Sequence, residues 1–439
     1  MSAQSQPHLH IALDGFNLAL PRGTGVATYA RTLSHALLEM SCEVDVLYGL
    51  NIPSNARSLL REILFFDLLC AEEKSRRARF LTPRWKERLR AHLLGHRAVV
   101  IPVDQHVDNR SFTDRLPAFN TLLNARDLFI TAWNHYRHTK RFLEITLPKS
   151  PDIMHWTYPL PIRARNTKNI YTIHDLVPLR LPHTTLDNKT NHFRLITDII
   201  HKADAICTVS EASRHDIITF NPAAEAITFN TYQSVRKQIS VQQIPDDIVA
   251  QNLSHLYNLQ PNGYFLYYGS IEPKKNIGRL IEGFLASQSR RPLVIVGAMA
   301  WKSDTELRLL EHGKKQGRII QMEYLPEYDL MVLIRGARAV LFPSLSEGFG
   351  LPVIEAMMMG TPVLTSSEAS LPEVAGQAGL IVQAYDTNSI MEGIQELDCN
   401  DALCSRLREE GPQQAKKFDM EHYRVTLKQF YVNILSGSC

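Results

Sequence analysis

The stretch SLSEGFGLPVIEAMMMGTPVLTS, residues 344–366, brings together residue types suited to a ligand that is both anionic and rich in hydroxyls. It follows an apolar run that reads as a strand, turns through Glu347, Gly348, Phe349 and Gly350, and enters a helix with Pro352 in its first turn, where a missing N–H costs nothing. The two glycines let backbone N–H groups come close to a ligand, and a helix N-terminus beyond them favours an anion such as a diphosphate. Glu347 lies in the loop and Glu355 about one turn into the helix, so both carboxylates are expected at a cleft lined by the carboxyl ends of strands. A carboxylate repels a neighbouring phosphate, so these two are expected to accept hydrogen bonds from sugar or ribose hydroxyls.

Other candidates lie elsewhere along the chain. His174, followed by Asp175, ends the buried run NIYTIHD, where its imidazole is expected to donate to a sugar hydroxyl while a neighbour holds the other nitrogen; the alternative is a satisfied core histidine. Gly23 and Gly25 in PRGTGVATYA form a G-x-G, but Thr28 stands where the dinucleotide pattern G-x-G-x-x-G needs glycine. Ser210 and Arg214 reach a donor or acceptor on one reading; on the other, Ser210 or Ser213 caps a helix.

The elements that must position these residues follow from periodicity. Short apolar runs alternate with longer amphipathic ones, the mark of β/α units around parallel sheets, so the fold class is α/β. HIALDG (10–15), EVDVLYGL (43–50), NIYTIHD (169–175) and AICTVS (205–210) read as strands of a first domain, with helices over 26–38 and 188–202. From Gly263 the rhythm restarts: strands YFLYYGS, LVIVGA, RIIQME, AVLFPS, PVLTSS and LIVQ alternate with helices, giving a second doubly wound domain. The expected layout is a first domain over 1–225, a linker over 226–262, a second domain over 263–420 and a terminal helix over 421–439. That helix carries an apolar stripe of Tyr423, Leu427, Phe430, Tyr431 and Ile434 that needs a surface to pack on. Residues 51–150 fit the alternation poorly. Within them, 74–97 holds nine Lys or Arg and one Glu, with Leu81, Trp85, Leu89 and Leu93 on one helical face: either a helix lying on an anionic membrane surface or one packed on its own domain.

Composition removes several classes. With 439 residues, 44% hydrophobic and 21% charged, the chain has material for two cores and is neither disordered nor fibrous. Its 48 basic and 45 acidic residues leave a net +3, too little to suggest a nucleic-acid partner; residues 1–250 carry 30 basic against 24 acidic, and the remainder 18 against 21. Six cysteines without a C-x-x-C pair suggest neither a disulfide framework nor structural zinc. The first residues lack a signal-peptide pattern and no run approaches 18 apolar residues, so a cytoplasmic protein is expected.

Glu347 and Glu355, eight positions apart in S-E-G-F-G-L-P-x-x-E-A-x-x-x-G-x-P-V, resemble the E-x7-E motif of retaining family-4 glycosyltransferases, also called glycosyl transferases group 1. The early glycine loop, TIHDLVP (172–178), VSEASRHDI (209–217) and YYGSIEPKKN (267–276) resemble that family's landmarks in order. The resemblance implies a GT-B fold, two Rossmann-like domains facing a cleft, with the last helix crossing back onto the first domain. It implies that Glu347 contacts the transferred sugar, Glu355 the ribose, and the backbone of Gly348, Phe349, Gly350 and Leu351 the sugar and diphosphate. Lys275 resembles the lysine that neutralises the diphosphate, leaving Lys274 as an exposed helix-start residue; His174 resembles the active-site histidine, and Gly25 borders the phosphates. Gly269 and Ser270 also belong to the donor site, although many relatives carry Arg where this chain has Ser270. The base would be held by backbone groups over 322–325.

No Asp-x-Asp occurs, so neither cofactor nor metal is expected, with Lys275 and helix dipoles in the metal's place. The resemblance implies retention by departure and attack on one face of the sugar. The expected reaction transfers mannose from GDP-mannose, a nucleotide sugar, to a saccharide or lipid-linked oligosaccharide in bacterial surface polysaccharide synthesis, at the inner membrane face. The alternatives are a dTDP-rhamnose or UDP-sugar donor, or a protein that binds nucleotide sugars without turnover. An epimerase or phosphorylase would need catalytic groups of its own, and the E-x7-E signature argues against both.

Overall fold

The computed structural model describes residues 9–20, 25–70, 96–104, 106–112, 115–235, 244–298, 308–323 and 325–437. The first domain is built on β1 (His10–Asp14), β2 (Glu43–Tyr48), β3 (His96–Arg97), β4 (Val99–Ile101), β5 (Thr121–Asn124), β6 (Leu143–Thr146), β7 (Ile153–Trp156), β8 (Ile162–Ala164), β9 (Lys168–Thr172), β10 (Ala205–Thr208) and β11 (Thr228–Asn230). Eight of these form one sheet in the order β11-β10-β9-β7-β1-β2-β5-β4, parallel except for the antiparallel edge strand β4, while β3, β6 and β8 make a small second sheet. The antiparallel edge explains why 51–150 departs from simple β/α alternation. Strands β1, β7 and β10 are buried along their whole length, as parallel strands covered on both faces must be.

The second domain holds β12 (Phe265–Tyr268), β13 (Leu293–Val296), β14 (Ile319–Met322), β15 (Ala339–Phe342), β16 (Val363–Ser366) and β17 (Leu380–Val382). Their order, β14-β13-β12-β15-β16-β17, is all parallel and reverses direction between β12 and β15. Such a reversal opens a crevice at the carboxyl ends of the two strands, where ligands of doubly wound sheets bind.

The helices that matter for the cleft are α1 (Gly25–Glu39), α2 (Leu128–Thr139), α3 (Lys189–Lys202), α4 (Glu211–Phe220), α5 (Asp246–Tyr257), α6 (Ile277–Ser287), α7 (Leu351–Met358), α8 (Leu371–Ala375) and α9 (Met420–Ser436). The segment 226–262, expected as a linker, instead contains β11, hydrogen-bonded to β10, and α5, whose Val249 and Leu253 are buried. Its Gln- and Asn-rich composition hides both. Helix α9 crosses back to the first domain as expected: its whole apolar stripe is buried, Tyr431 Oη bonds His155 Nδ1 at 2.7 Å, and Arg424 pairs with Glu39 at 2.9 Å. Of the basic stretch 74–97, only His96 and Arg97 fall among the described residues; Gly23 and Tyr324 lie outside them too. No helix among the described residues is long and apolar enough to cross a membrane.

Candidate active site

The crevice between β12 and β15 is where the sequence candidates meet. After β12 the chain passes Gly269 and Ser270 and makes a short 3-10 turn, Pro273–Lys275, before α6. After β15 it runs through 343–350 into α7. Leu345 N donates to Lys274 O at 2.8 Å, and Asn276 Nδ2 donates to Pro343 O at 3.0 Å and Ala384 O at 2.6 Å, so the two loops are held as one surface.

On that surface Lys275 Nζ donates to Glu347 Oε1 at 2.6 Å, with the side chains only 13% and 10% exposed. Lys275 also sits 5.1 Å from the centre of the Phe342 ring. The Glu347 loop is pinned from behind by Ser370 Oγ, which bonds Glu347 O at 3.0 Å and Phe349 O at 2.9 Å. Gly350, at φ +101°, is the residue from which α7 starts, and a left-handed conformation there suits glycine. Pro352 follows in the first turn and Val353 N donates to Gly350 O at 3.0 Å, which leaves the Leu351 N–H at the helix start without a backbone partner among the described residues.

Lys274 is not the exposed bystander expected from sequence. Its ammonium is shielded from water, which alone would lower its pKa, yet Asp175, Glu347 and Glu272 together hold it above its ordinary value. Two cations therefore stand side by side, one from each of two adjacent residues. The sequence hides this because Asp175 arrives from the other domain. Ser270 bonds Glu272 at 3.1 Å, which in turn lies 3.9 Å from Lys274; the serine thus supports the lysine turn rather than replacing an arginine.

Glu355, the second carboxylate, is held by a tyrosine of β12. Its Oε2 lies 3.0 Å from Tyr268 Oη, which also bonds Pro352 O at 2.9 Å. Burial pushes the carboxyl up to about 7, the Tyr268 hydrogen bond opposing and Glu327 adding. It is a partly buried acceptor.

From the first domain, His174 follows β9. Its Nε2–H donates to Thr157 O at 2.9 Å, and since a carbonyl only accepts, Nε2 carries the proton. Burial lowers the imidazole pKa, Thr157 and Asp175 opposing and Lys274 adding, so the ring is neutral and Nδ1 holds a lone pair. The nitrogen of His174 that remains, Nδ1, is thus an acceptor, whereas the sequence reading expected the ring to donate to a sugar hydroxyl. Asp14, at the end of β1, accepts the Thr157 N–H and the Phe16 N–H, the latter at 3.1 Å; burial raises its carboxyl to about 6. Tyr29 from α1 stands edge-on to His174, with ring centres 4.9 Å apart.

The domains touch here. Ser213 Oγ donates to His174 O at 2.6 Å and lies 3.3 Å from Gly348 O across the cleft, while Glu373 of α8 accepts the Glu211 N–H at 3.0 Å. A methyl group added at Gly25 would lie 3.8 Å from Leu351 Cδ1, so the early glycine loop borders the start of α7. Ser210 caps α4 by accepting from Ser213 N at 3.0 Å, and Arg214 bonds Thr228 O at 3.0 Å; both are structural. Among the described residues the only His/carboxylate group with metal-ligand spacing is His10, Glu43 and Asp45. It sits at the start of β1 and β2, the far edge of the sheet, with Glu43 paired to Lys149 at 2.6 Å.

Comparison with known proteins agrees with this geometry. A family model described as glycosyl transferases group 1 matches residues 258–414, which include the whole crevice of the second domain. The chain is 34% identical over 266 residues to O-antigen chain mannosyltransferase B of Escherichia coli, covering 59% of this chain and 68% of that one. It is 28% identical over 368 residues to the serotype-specific mannosyltransferase WbdA of Escherichia coli, covering 76% of this chain but 44% of that longer protein. Among solved structures, a sucrose-phosphate synthase from Thermosynechococcus elongatus superimposes with a TM-score of 0.65 at 17% identity, covering 98% of this chain and 100% of that one. That likeness gives the fold: two Rossmann-like domains in the GT-B arrangement.

Proposed function

The chain belongs to the glycosyl transferases group 1 family, and from that premise we propose that it transfers mannose, with retention, from GDP-mannose to a saccharide acceptor carried on a lipid. The observation that supports catalysis most directly is the Lys275–Glu347 pair at 2.6 Å, set at the start of α7 and facing His174 across the cleft.

A diphosphate entering this crevice would meet Lys275, Lys274 and the start of α7, where Leu351 keeps an N–H without a backbone partner among the described residues. Phosphate oxygens take Lys275 from Glu347, which frees the carboxylate to accept from sugar hydroxyls; one internal ion pair is exchanged for two sets of charge-assisted hydrogen bonds. Two ammonium groups and a helix N-terminus supply the positive field that a departing diphosphate needs, without a divalent ion. Glu355 accepts from the ribose, and His174 Nδ1 accepts from a hydroxyl on the sugar.

The pairing of Glu347 with Lys275 supports a role for the carboxylate on the donor's hydroxyls, and on that reading substitution takes place on one face rather than by double displacement. The bond from anomeric carbon to phosphate oxygen breaks, the acceptor oxygen bonds the same face, and its proton passes to the departing phosphate oxygen. Nucleoside diphosphate and the extended glycan leave. The basic stretch 74–97 supports an acceptor presented at an anionic membrane surface.

The mannose assignment follows the names of the relatives, and the test is ligand-induced stabilisation. GDP and GDP-mannose should raise the melting temperature while UDP, dTDP and ADP do not. A shift with another nucleotide alone would overturn the donor, and a shift with none would overturn the transferase reading.

A further inference from the structure

We propose that the cavity between α2 and the start of α3 is a saccharide subsite that seats the acceptor's sugar beside the transfer centre; the proposal rests on the transferase reading above. The cavity has a volume of about 380 Å³, within the range of small-molecule sites. Helix α2 contributes Trp133, Asn134 and Arg137, and the start of α3 with the residues before it contributes Asp187, Asn191 and His192.

The polar lining is unspent. Among the described residues the side chains of Asn134, Arg137, Asp187 and Asn191 make no hydrogen bond to another protein group. His192 Nε2 is buried and also lacks a partner. Burial keeps that imidazole neutral, with Lys189 adding and Asp187 and Asp175 opposing, so the ring offers one donor and one acceptor. An unmatched buried nitrogen is costly unless a ligand or water completes it. Amides, a carboxylate, a guanidinium and a neutral imidazole around an indole suit a sugar ring, whose C–H face packs on the aromatic surface while its hydroxyls meet the polar rim. Arg137 is balanced by Asp187, so the pocket has no net field for a phosphate.

Its position fits an acceptor. The short helix Val177–Arg180, which begins two residues after Asp175, packs against α3, so the pocket lies on the same side of the first domain as Asp175, whose charge reaches Lys274. No sequence motif marks it, because its residues come singly from two helices.

The test uses the full chain and α-mannotriose as the probe, with binding read by saturation-transfer NMR and with nucleotide-induced thermal shift measured in parallel. Wild type should bind the trisaccharide, Trp133→Ala should weaken binding about tenfold, and Trp133→Phe, which keeps an aromatic face, should restore most of it. Trisaccharide binding that survives both Trp133→Ala and Asn191→Ala, or no binding by wild type, overturns the subsite. Nucleotide-induced stabilisation in that same experiment would leave the transferase reading standing, whereas its absence removes both.

Discussion

Gly348→Ala is the most discriminating single substitution this cleft allows. The backbone at Gly348 is not left-handed, so alanine is acceptable to the local chain. What it meets is the other domain: its Cβ would stand 2.6 Å from His174 O and 3.1 Å from His174 C, and neither atom can swing aside. Ordinary contact begins near 3.4 Å, so the two domains must separate by about 0.8 Å at this point. That separation also stretches the Ser213 Oγ contact with Gly348 O, now 3.3 Å. A misplacement of this size between reacting groups costs on the order of 100-fold in rate. The strain is relieved by opening rather than unfolding, so the loss of stability should stay below about 1 kcal/mol. Mannosyl transfer and donor hydrolysis would be measured beside thermal melts with and without GDP. The expected variant folds, is stabilised by GDP, and turns over about 100-fold more slowly. Turnover within twofold of wild type would refute the claim that transfer occurs with Gly348 against the His174 carbonyl. Gly350→Ala supplies the contrast: with φ at +101° and a Cβ 2.8 Å from Leu371 Cδ2, it should lower the folding stability itself, by about 1–2 kcal/mol.

Three further outcomes follow from the same contacts. Glu347→Gln should abolish donor hydrolysis, by about 100-fold or more, while retaining GDP-induced stabilisation; unchanged hydrolysis would remove Glu347 from the mechanism. Glu355, whose folded-state pKa is raised from 4.5 to about 7, holds its proton more tightly when folded, so its contribution to stability is complete below pH 4.5 and lost as pH rises through 7. Melts across that window should show wild type losing about 2 kcal/mol relative to Glu355→Gln, and donor affinity should rise over the same range as the carboxylate forms; parallel curves would refute both. Tyr431→Phe removes the hydroxyl that bonds His155 Nδ1 at 2.7 Å. Because burial lowers the His155 pKa to about 3 and leaves the ring a neutral buried group, equilibrium denaturation should show a loss of about 1–3 kcal/mol.

The parts of the site that depend on chemistry local in sequence are legible in the amino-acid order itself. Strand, glycine turn, Pro352 and helix follow one another within 344–358, so the place of Glu347 and the start of α7 can be read from that succession alone. Lys275 after β12 is readable in the same way. Lys274 is not, because its environment comes from Asp175, about 100 residues earlier in the chain, and a second lysine in a helix start carries no signal of its own. The proton on His174 is not readable either: it is set by the carbonyl of Thr157, and backbone carbonyls are the same at every position of a sequence. The hold on Glu355 depends on Tyr268 of β12, and helical period alone does not show that contact.

The way the two domains meet suggests how the cleft works. Helix α9 buries Tyr423, Leu427, Phe430, Tyr431 and Ile434, and each such side chain contributes on the order of 1.5–3 kcal/mol when taken from water. At the cleft the joining hydrogen bonds among the described residues include Ser213 Oγ with Gly348 O, and Glu373 with the Glu211 N–H. Such hydrogen bonds are each worth about 1 kcal/mol net. An opening of the cleft would therefore break the weak contacts first and leave the α9 seam in place. A donor that bridges Lys275 and His174 adds its own contacts to the weak side only, so binding free energy goes into closure, where the reacting groups are brought together and water is excluded.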